Sequence, residues 1–277
     1  TYLFRTTSFE PGECDLTVVL RDPRSGKTYE GQVPIAFADP VRLAVEHNLA
    51  LDPGLHYPVL VGAAFRIDTS LYAATEFNGL SELSTRLESW AVTLEGGSFA
   101  CGCATAPAPC RVAGTGEEWS ILHHFDVHAV APGSSTLTVR NGALERVVTL
   151  EAVEESDVVG MELYQPIGGL GLMDAEEDPL ENWERVTEIH LRAAENGDIA
   201  SLLALADGRR AWGGAGAYSS PSEHLFTGVW PNHACPEAPL RAQTWMALNT
   251  LHSEPTVIEA EMGSASVVFP VTVEPAE

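Results

Sequence analysis

The fold is decided by residues 125–153, FDVHAVAPGSSTLTVRNGALERVVTLEAV. Leu137 and Val139 alternate with Thr136, Thr138 and Arg140, and Asn141-Gly142 then reverses the chain. On the return, Val148, Leu150 and Ala152 alternate with Val147, Thr149 and Glu151. Successive side chains of a strand point to opposite faces, so each run has one apolar and one polar face. Asn-Gly between two such runs is the strongest short-range hairpin signal, because both turn residues need positive φ and these two tolerate it best. The stretch predicts three short strands, the last two forming the closing hairpin of a sandwich.

Working outward, versions of the same hairpin recur. TVIEAEMGSASVVFPVTV near the C-terminus places Val257, Val267, Phe269 and Val271 in alternation, with Gly263 in the turn. Near the N-terminus, Tyr2 to Thr7, Asp15 to Leu20 and Tyr29 to Phe37 read as strands. The last two are joined by RDPRSGKT, a turn built from Pro23, Ser25 and Gly26. In the final run Tyr29, Val33, Ile35 and Phe37 fall on one face, and Pro34 places that strand towards a sheet edge. The three hairpins end near residues 37, 152 and 273, a repeat of roughly 115 to 120 residues, about one sandwich plus loops. Between them, VRLAVEH, YPVLVGAAFRI, TSLYAATEF, ESWAVTL and SILHHFDVHAV supply strands, and residues 77–87, FNGLSELSTRL, read as a short helical turn. Residues 154–183, rich in Gly and acid, read as a loose connection.

This divides the chain into residues 1–40, the terminal strands of a partial domain or strands added to the next; residues 41–153, one sandwich; and residues 154–277, a second with a Gly- and acid-rich lead-in. The pattern AVAPGSSTLTVRNG…VTLEAV resembles the last strands of bacterial immunoglobulin-like domains. SFEPGECDLTVVLRD…GKTYEGQVPIAF and VIEAEMGSASVVFPVTVEP are similar to it, and so is FRIDTSLYAATEFNG…LESWAV, with Trp90 as the core tryptophan of a central strand. The Cys…Trp…Cys spacing of antibody domains is absent, so the resemblance carries the architecture: all-β, tandem Ig-like β-sandwich domains. It implies a secreted or bacterial cell-surface protein, an adhesin, stalk or accessory module, often a lipoprotein with its lipid anchor upstream.

Composition narrows the partners. The chain has 277 residues, 15 basic and 39 acidic, for a net charge of −24. Nucleic acid and anionic membranes are bound by clustered Lys and Arg, so neither is an expected partner. No stretch reaches the roughly 20 apolar residues of a membrane span, and the sequence opens at Thr1 without a basic-then-apolar leader. Of the five cysteines, Cys101, Cys103 and Cys110 fall in CGCATAPAPC, whose Gly, Ala and Pro predict an exposed loop. Clustered loop cysteines fit an oxidising compartment and one bridge within the loop. The odd count leaves at least one of the five thiols free or paired with another chain, with Cys14 and Cys235 as further candidates.

Chemistry-bearing residues are few. On a strand His124, Asp126 and His128 share a face, and imidazoles with a carboxylate suit zinc. The competing reading has Phe125, Val127 and Ala129 filling the core with the polar set solvated. The cysteine loop lacks the paired C-x2-C spacing of a zinc finger. The acidic runs at residues 154–157 and 174–178 offer carboxylates for calcium at a domain junction but lack an EF-hand loop, which favours solvated charge. No nucleophile elbow, P-loop or H-E-x-x-H motif is present. Trp183, Trp212, Trp230 and Trp245 with Tyr218 make the C-terminal region aromatic-rich. Exposed there, Tyr218, Trp212 and Trp230 would contact a glycan or a surface protein, most readily from the loop at residues 213–226. The expectation is a non-catalytic surface protein with no cofactor. The alternatives are a metal-binding protein or hydrolase using His124, Asp126 and His128, and a subunit of a larger surface assembly.

Overall fold

A computed structural model describes residues 12–47, 57–75, 79–83, 85–103, 106–107, 109–114, 119–120, 123–167, 183–192, 196–212, 217–221, 225–229, 240–241, 245–250, 255–262 and 265–275. Among them there is no α-helix; only two single turns, Leu87–Ser89 and Glu155–Asp157, are helical, both of the 3-10 type. The protein is an all-β tandem of Ig-like sandwiches.

The first sandwich is built on the strand Ala63–Thr75. Along it, the alternate residues Ala63, Phe65, Ile67, Thr69, Leu71 and Ala73 are all buried. The sequence reading splits this strand in two at Asp68-Thr69. The structure keeps it whole, because polarity at two positions does not break the period of the buried face. Arg42–His47 and His123–Ala129 pair antiparallel on either side of it, and Phe99–Cys103 pairs beyond His123–Ala129. The facing sheet runs Val59–Leu60, Leu144–Val153, Gly133–Asn141, Trp90–Gly96, with Val59–Leu60 parallel to the last strand of the sandwich.

The deciding hairpin has the predicted faces: Leu137, Val139, Leu150 and Ala152 are buried and Val147 is exposed. Its turn lies one residue later than Asn-Gly predicts. Asn141 still pairs with Leu144, leaving Gly142-Ala143 as the two-residue loop with Gly142 at φ +58°. A primed turn needs positive φ at its first central residue, which Gly supplies. Residues 79–83 and 85–86 are extended rather than helical: Gly79–Leu83 folds back antiparallel on Leu71 to Thr75. The Gly and Ser content that makes a poor helix is tolerated there.

The second sandwich repeats the plan. One sheet runs Trp183–Val186, Val158–Pro166, Asn196–Leu205, Trp245–Thr250, Leu225–Val229. The other runs Ile189–Arg192, Ala265–Glu274, Thr256–Met262, Ala217–Ser219, again with its first strand parallel to the last strand of the sandwich. Of the connection expected to be loose, residues 154–166 are a turn and a strand, and residues 168–182 lie outside the described residues. Glu154 caps the turn Glu155–Asp157, and the strand Val158–Pro166 begins at once. In the closing hairpin Val267, Phe269 and Val271 face inward or partly inward, but Val257 is exposed and its neighbours Ile258 and Ala260 are buried. The register sets this, since Ile258 lies opposite Phe269 and Ala260 opposite Val267. Apart from both sandwiches, Gly12–Arg21 and Thr28–Phe37 form a two-stranded ribbon, closed by a loop in which Asp22 accepts from the Arg24 amide and Gly26 takes φ +68°.

Candidate functional site

The predicted ligands lie on His123–Ala129, where the alternation holds: Phe125, Val127 and Ala129 point into the core, and His124, Asp126 and His128 lie on the other face. Two of the three are already engaged separately. Asp126 stands directly opposite Arg66 in the ladder and accepts from its Nε at 3.0 Å. His128 is buried, and its Nδ1 lies 2.8 Å from the Gly102 carbonyl oxygen. That contact is a hydrogen bond only if Nδ1 carries the proton. Burial, and then the positive charge of Arg66, hold His124 below its ordinary value despite Asp126, so it is neutral at pH 7. Among the described residues no group of three His, Cys, Asp or Glu is placed to hold a metal ion.

Beside this face the structure joins Cys101 to Cys110, with Cα atoms 5.1 Å apart. Cys101 is not in an exposed loop. It is buried within Phe99–Cys103, opposite Val127, so the bridge ties the following loop to the sheet. Cys103 ends the same strand; its side chain, that of Cys14, and all of Cys235 lie outside the described residues. A cleft of about 380 Å³ opens next to the bridge, lined among others by Gly102, Arg111, Ala113, His124 and Asp126. Its polar groups are a neutral imidazole, a paired carboxylate and one guanidinium. This set can orient a small polar or anionic ligand, and it contains no nucleophile beside a base.

His123, on the other face of the strand by the same alternation, points into the core. Its Nε2 lies 3.1 Å from Thr85 Oγ1, which also accepts from Trp90 Nε1 at 3.0 Å, and its ring centroid is 4.9 Å from that of Trp90. Trp90 is buried as expected, but its strand Trp90–Gly96 stands last in the sheet facing Ala63–Thr75, an edge rather than the central strand expected, since among the described residues it pairs with Gly133–Asn141 alone.

The proposed aromatic contacts fare differently. Trp212 is not available to a ligand: it is 1% exposed. Its amide donates to the Pro58 carbonyl at 2.7 Å and its carbonyl accepts from Leu60 N at 2.9 Å, so one residue of the second sandwich extends a sheet of the first. Its ring belongs to one buried cluster that contains Leu60, Leu150 and Ala152 together with Tyr164, Trp183, Leu202 and Leu203. Leu240–Arg241 adds a second tie, parallel to Ala63 and Ala64. At the surface Arg209 reaches from Asp207 to Glu151 at 2.8 Å. Behind the joint Glu162 accepts from Tyr164 Oη at 2.5 Å and Arg210 Nε at 2.8 Å, and pairs with Arg185 at 2.9 Å. Tyr218 falls in the strand Ala217–Ser219, opposite Ala260. Trp230 and residues 174–178 lie outside the described residues, and no helix among those described is long and apolar enough to cross a membrane.

No family model and no curated protein matches the chain. Among solved structures, the surface layer protein SbsC, domains 4–9, is similar over 96% of this chain at 12% identity and a TM-score of 0.37; the chain spans 35% of that protein fragment. The Escherichia coli adhesin FdeC is similar over 95% of this chain and 74% of its own at 10% identity and a TM-score of 0.29. The titin Ig tandem A164–A165 is similar over 84% of this chain and 100% of its own at 8% identity and a TM-score of 0.24. At these values, what those proteins bind or assemble stays with them.

Proposed function

We propose that this chain is a non-catalytic, extracytoplasmic surface protein. Its Ig-like sandwiches act as a stiff spacer and present loops to a surface protein or glycan as an adhesive or accessory module. The joint at Trp212 carries this reading. Domains in one chain move relative to each other unless their interface is large and apolar. Here a single apolar cluster runs from one sandwich into the other, with backbone hydrogen bonds from Trp212 to residues 58 and 60. A spacer needs that fixed relation, whereas a catalyst needs a converging set of reactive groups. The Cys101–Cys110 bridge supports an oxidising compartment, and the −24 charge supports solubility at a surface. Trp230 remains the proposed aromatic contact.

The test is brief protease treatment of intact source cells, with mass spectrometry of the released peptides. Peptides of this chain released before lysis, at the level of known surface proteins, are the expected result. Release only after lysis overturns the assignment.

A further inference from the structure

The ribbon Gly12–Arg21/Thr28–Phe37 pairs with no other strand among the described residues. A two-stranded ribbon is marginal in water unless its apolar face is covered. By period 2, Leu16, Val18, Leu20, Tyr29, Val33 and Ile35 share one face of it; Leu20 is 46% exposed and Tyr29 58%.

What belongs on that face can be read from the first sandwich. Pro11-Gly12-Glu13-Cys14-Asp15-Leu16-Thr17-Val18 matches Pro132-Gly133-Ser134-Ser135-Thr136-Leu137-Thr138-Val139 at its Pro, Gly, Leu, Thr and Val. The pairing matches as well. Gly12 faces Phe37, Cys14 faces Ile35 and Leu16 faces Val33, as Gly133 faces Ala152, Ser135 faces Leu150 and Leu137 faces Val148. The exits match again: residues 38–41 lead to the strand Arg42–His47, and residues 154–157, also four, lead to Val158–Pro166. In the first sandwich Ser135, Leu137, Val139 and Leu150 are buried at these positions, packed in the core shared with Ala63–Thr75. Among the described residues both sandwiches already have two facing sheets, so neither offers the ribbon a bare apolar sheet.

We propose that Gly12–Phe37 is the closing hairpin of a third Ig-like sandwich, whose other strands are encoded immediately N-terminal to it, and that Cys14 is a core thiol of that sandwich. Apart from the short tie Leu240–Arg241, the closing hairpin of both sandwiches follows their other strands in sequence, which favours the preceding polypeptide over a second copy as the source. The inference is independent of where the protein resides.

The experiment compares the natural polypeptide from its source with the chain beginning at Thr1. Both are treated with a maleimide, and the peptide carrying Cys14 is quantified by mass spectrometry, beside hydrogen exchange of residues 12–37. A core position opens only with its domain, so Cys14 is expected to label at least about 100-fold more slowly in the natural polypeptide. Leu16→Asp there should abolish this protection, while Val19→Asp on the opposite face should keep it. A natural N-terminus at or near Thr1 would overturn the proposal. So would equal protection in the chain beginning at Thr1, whether as a monomer or only as a dimer, and so would protection that survives Leu16→Asp.

Discussion

Trp212→Ala tests the joint most directly. A buried tryptophan removes about 150–250 Å² from water, which at about 25 cal/mol/Å² is an upper bound of about 4–6 kcal/mol. Against this stands the indole Nε1, which is buried without a hydrogen-bond partner among the described residues. Burying such a group costs about 1–3 kcal/mol, and truncation returns that cost. The net loss is about 3 kcal/mol, at the low end for Trp→Ala in a core. Trp212→Phe keeps most of the apolar surface and removes the unpaired N–H, so it should cost no more than about 1 kcal/mol. The backbone bonds to Pro58 and Leu60 survive both changes.

Because the ring packs into a cluster fed by both sandwiches, the loss should also appear in cooperativity. Calorimetry and urea unfolding should show one transition for the parent and for Trp212→Phe, and two for Trp212→Ala. Small-angle scattering should then show a wider spread of interdomain arrangements for Trp212→Ala alone. The reasoning fails if Trp212→Ala loses less than about 1 kcal/mol with a single transition. It fails equally if Phe costs as much as Ala, since the apolar surface would then not be what holds the joint.

The bridge between Cys101 and Cys110 spans a sequence separation of 9, and closing so short a loop should stabilise by about 2–3 kcal/mol; the double Ser variant should lose this in urea, with no further loss on adding reductant. For Glu162, burial pushes the carboxyl up, but hydrogen bonds from Tyr164 and Arg210 and the charges of Arg210 and Arg185 outweigh it and leave it below its ordinary value. Its contribution is present above the unfolded-state pKa and lost as pH falls through the lower folded value, so Glu162→Gln should flatten the stability profile below about pH 4.5. Burial first, then the bond to Glu162, push Tyr164 up to about 12; this contribution is complete below about pH 10 and lost as pH rises towards 12, a loss that Tyr164→Phe should remove. With Asp126 on Arg66 and His128 on Gly102, chelation should leave the melting temperature unchanged and zinc should bind with no defined stoichiometry; a stoichiometric ion abolished by His124→Ala would reverse that assignment.

The hairpins were legible because their signal is local. Leu137, Val139 and Leu150 declare their faces by alternation, and Gly142 or Gly26 declares a turn by its freedom at positive φ. Where alternation alone had to choose a face the reading was weaker. Val257 is exposed and Ile258 buried because the partner strand brings Phe269 opposite residue 258, and a run such as TVIEA is apolar on both sides of that choice. The division of Ala63–Thr75 at Asp68-Thr69 has the same origin: two polar residues look like a strand boundary, yet Thr69 is a buried member of the core face.

Trp212 was misjudged for a different reason, and so was the isolation of the His124 face. The glycines of WGGAGAYSS favour an exposed loop, but Trp212 bonds through its backbone to Pro58 and Leu60 of the other sandwich, and its ring joins a buried cluster drawn from both. Arg66, which holds Asp126, likewise becomes its neighbour only through antiparallel register between strands distant in sequence. Both facts belong to pairing between segments, which period-2 patterns specify only after the strand order is known. The ribbon at residues 12–37 turns that limit into an inference. Its own pattern says only that one face is apolar, but its register and exit repeat a hairpin whose strand order is known, and the repeat supplies the missing partner.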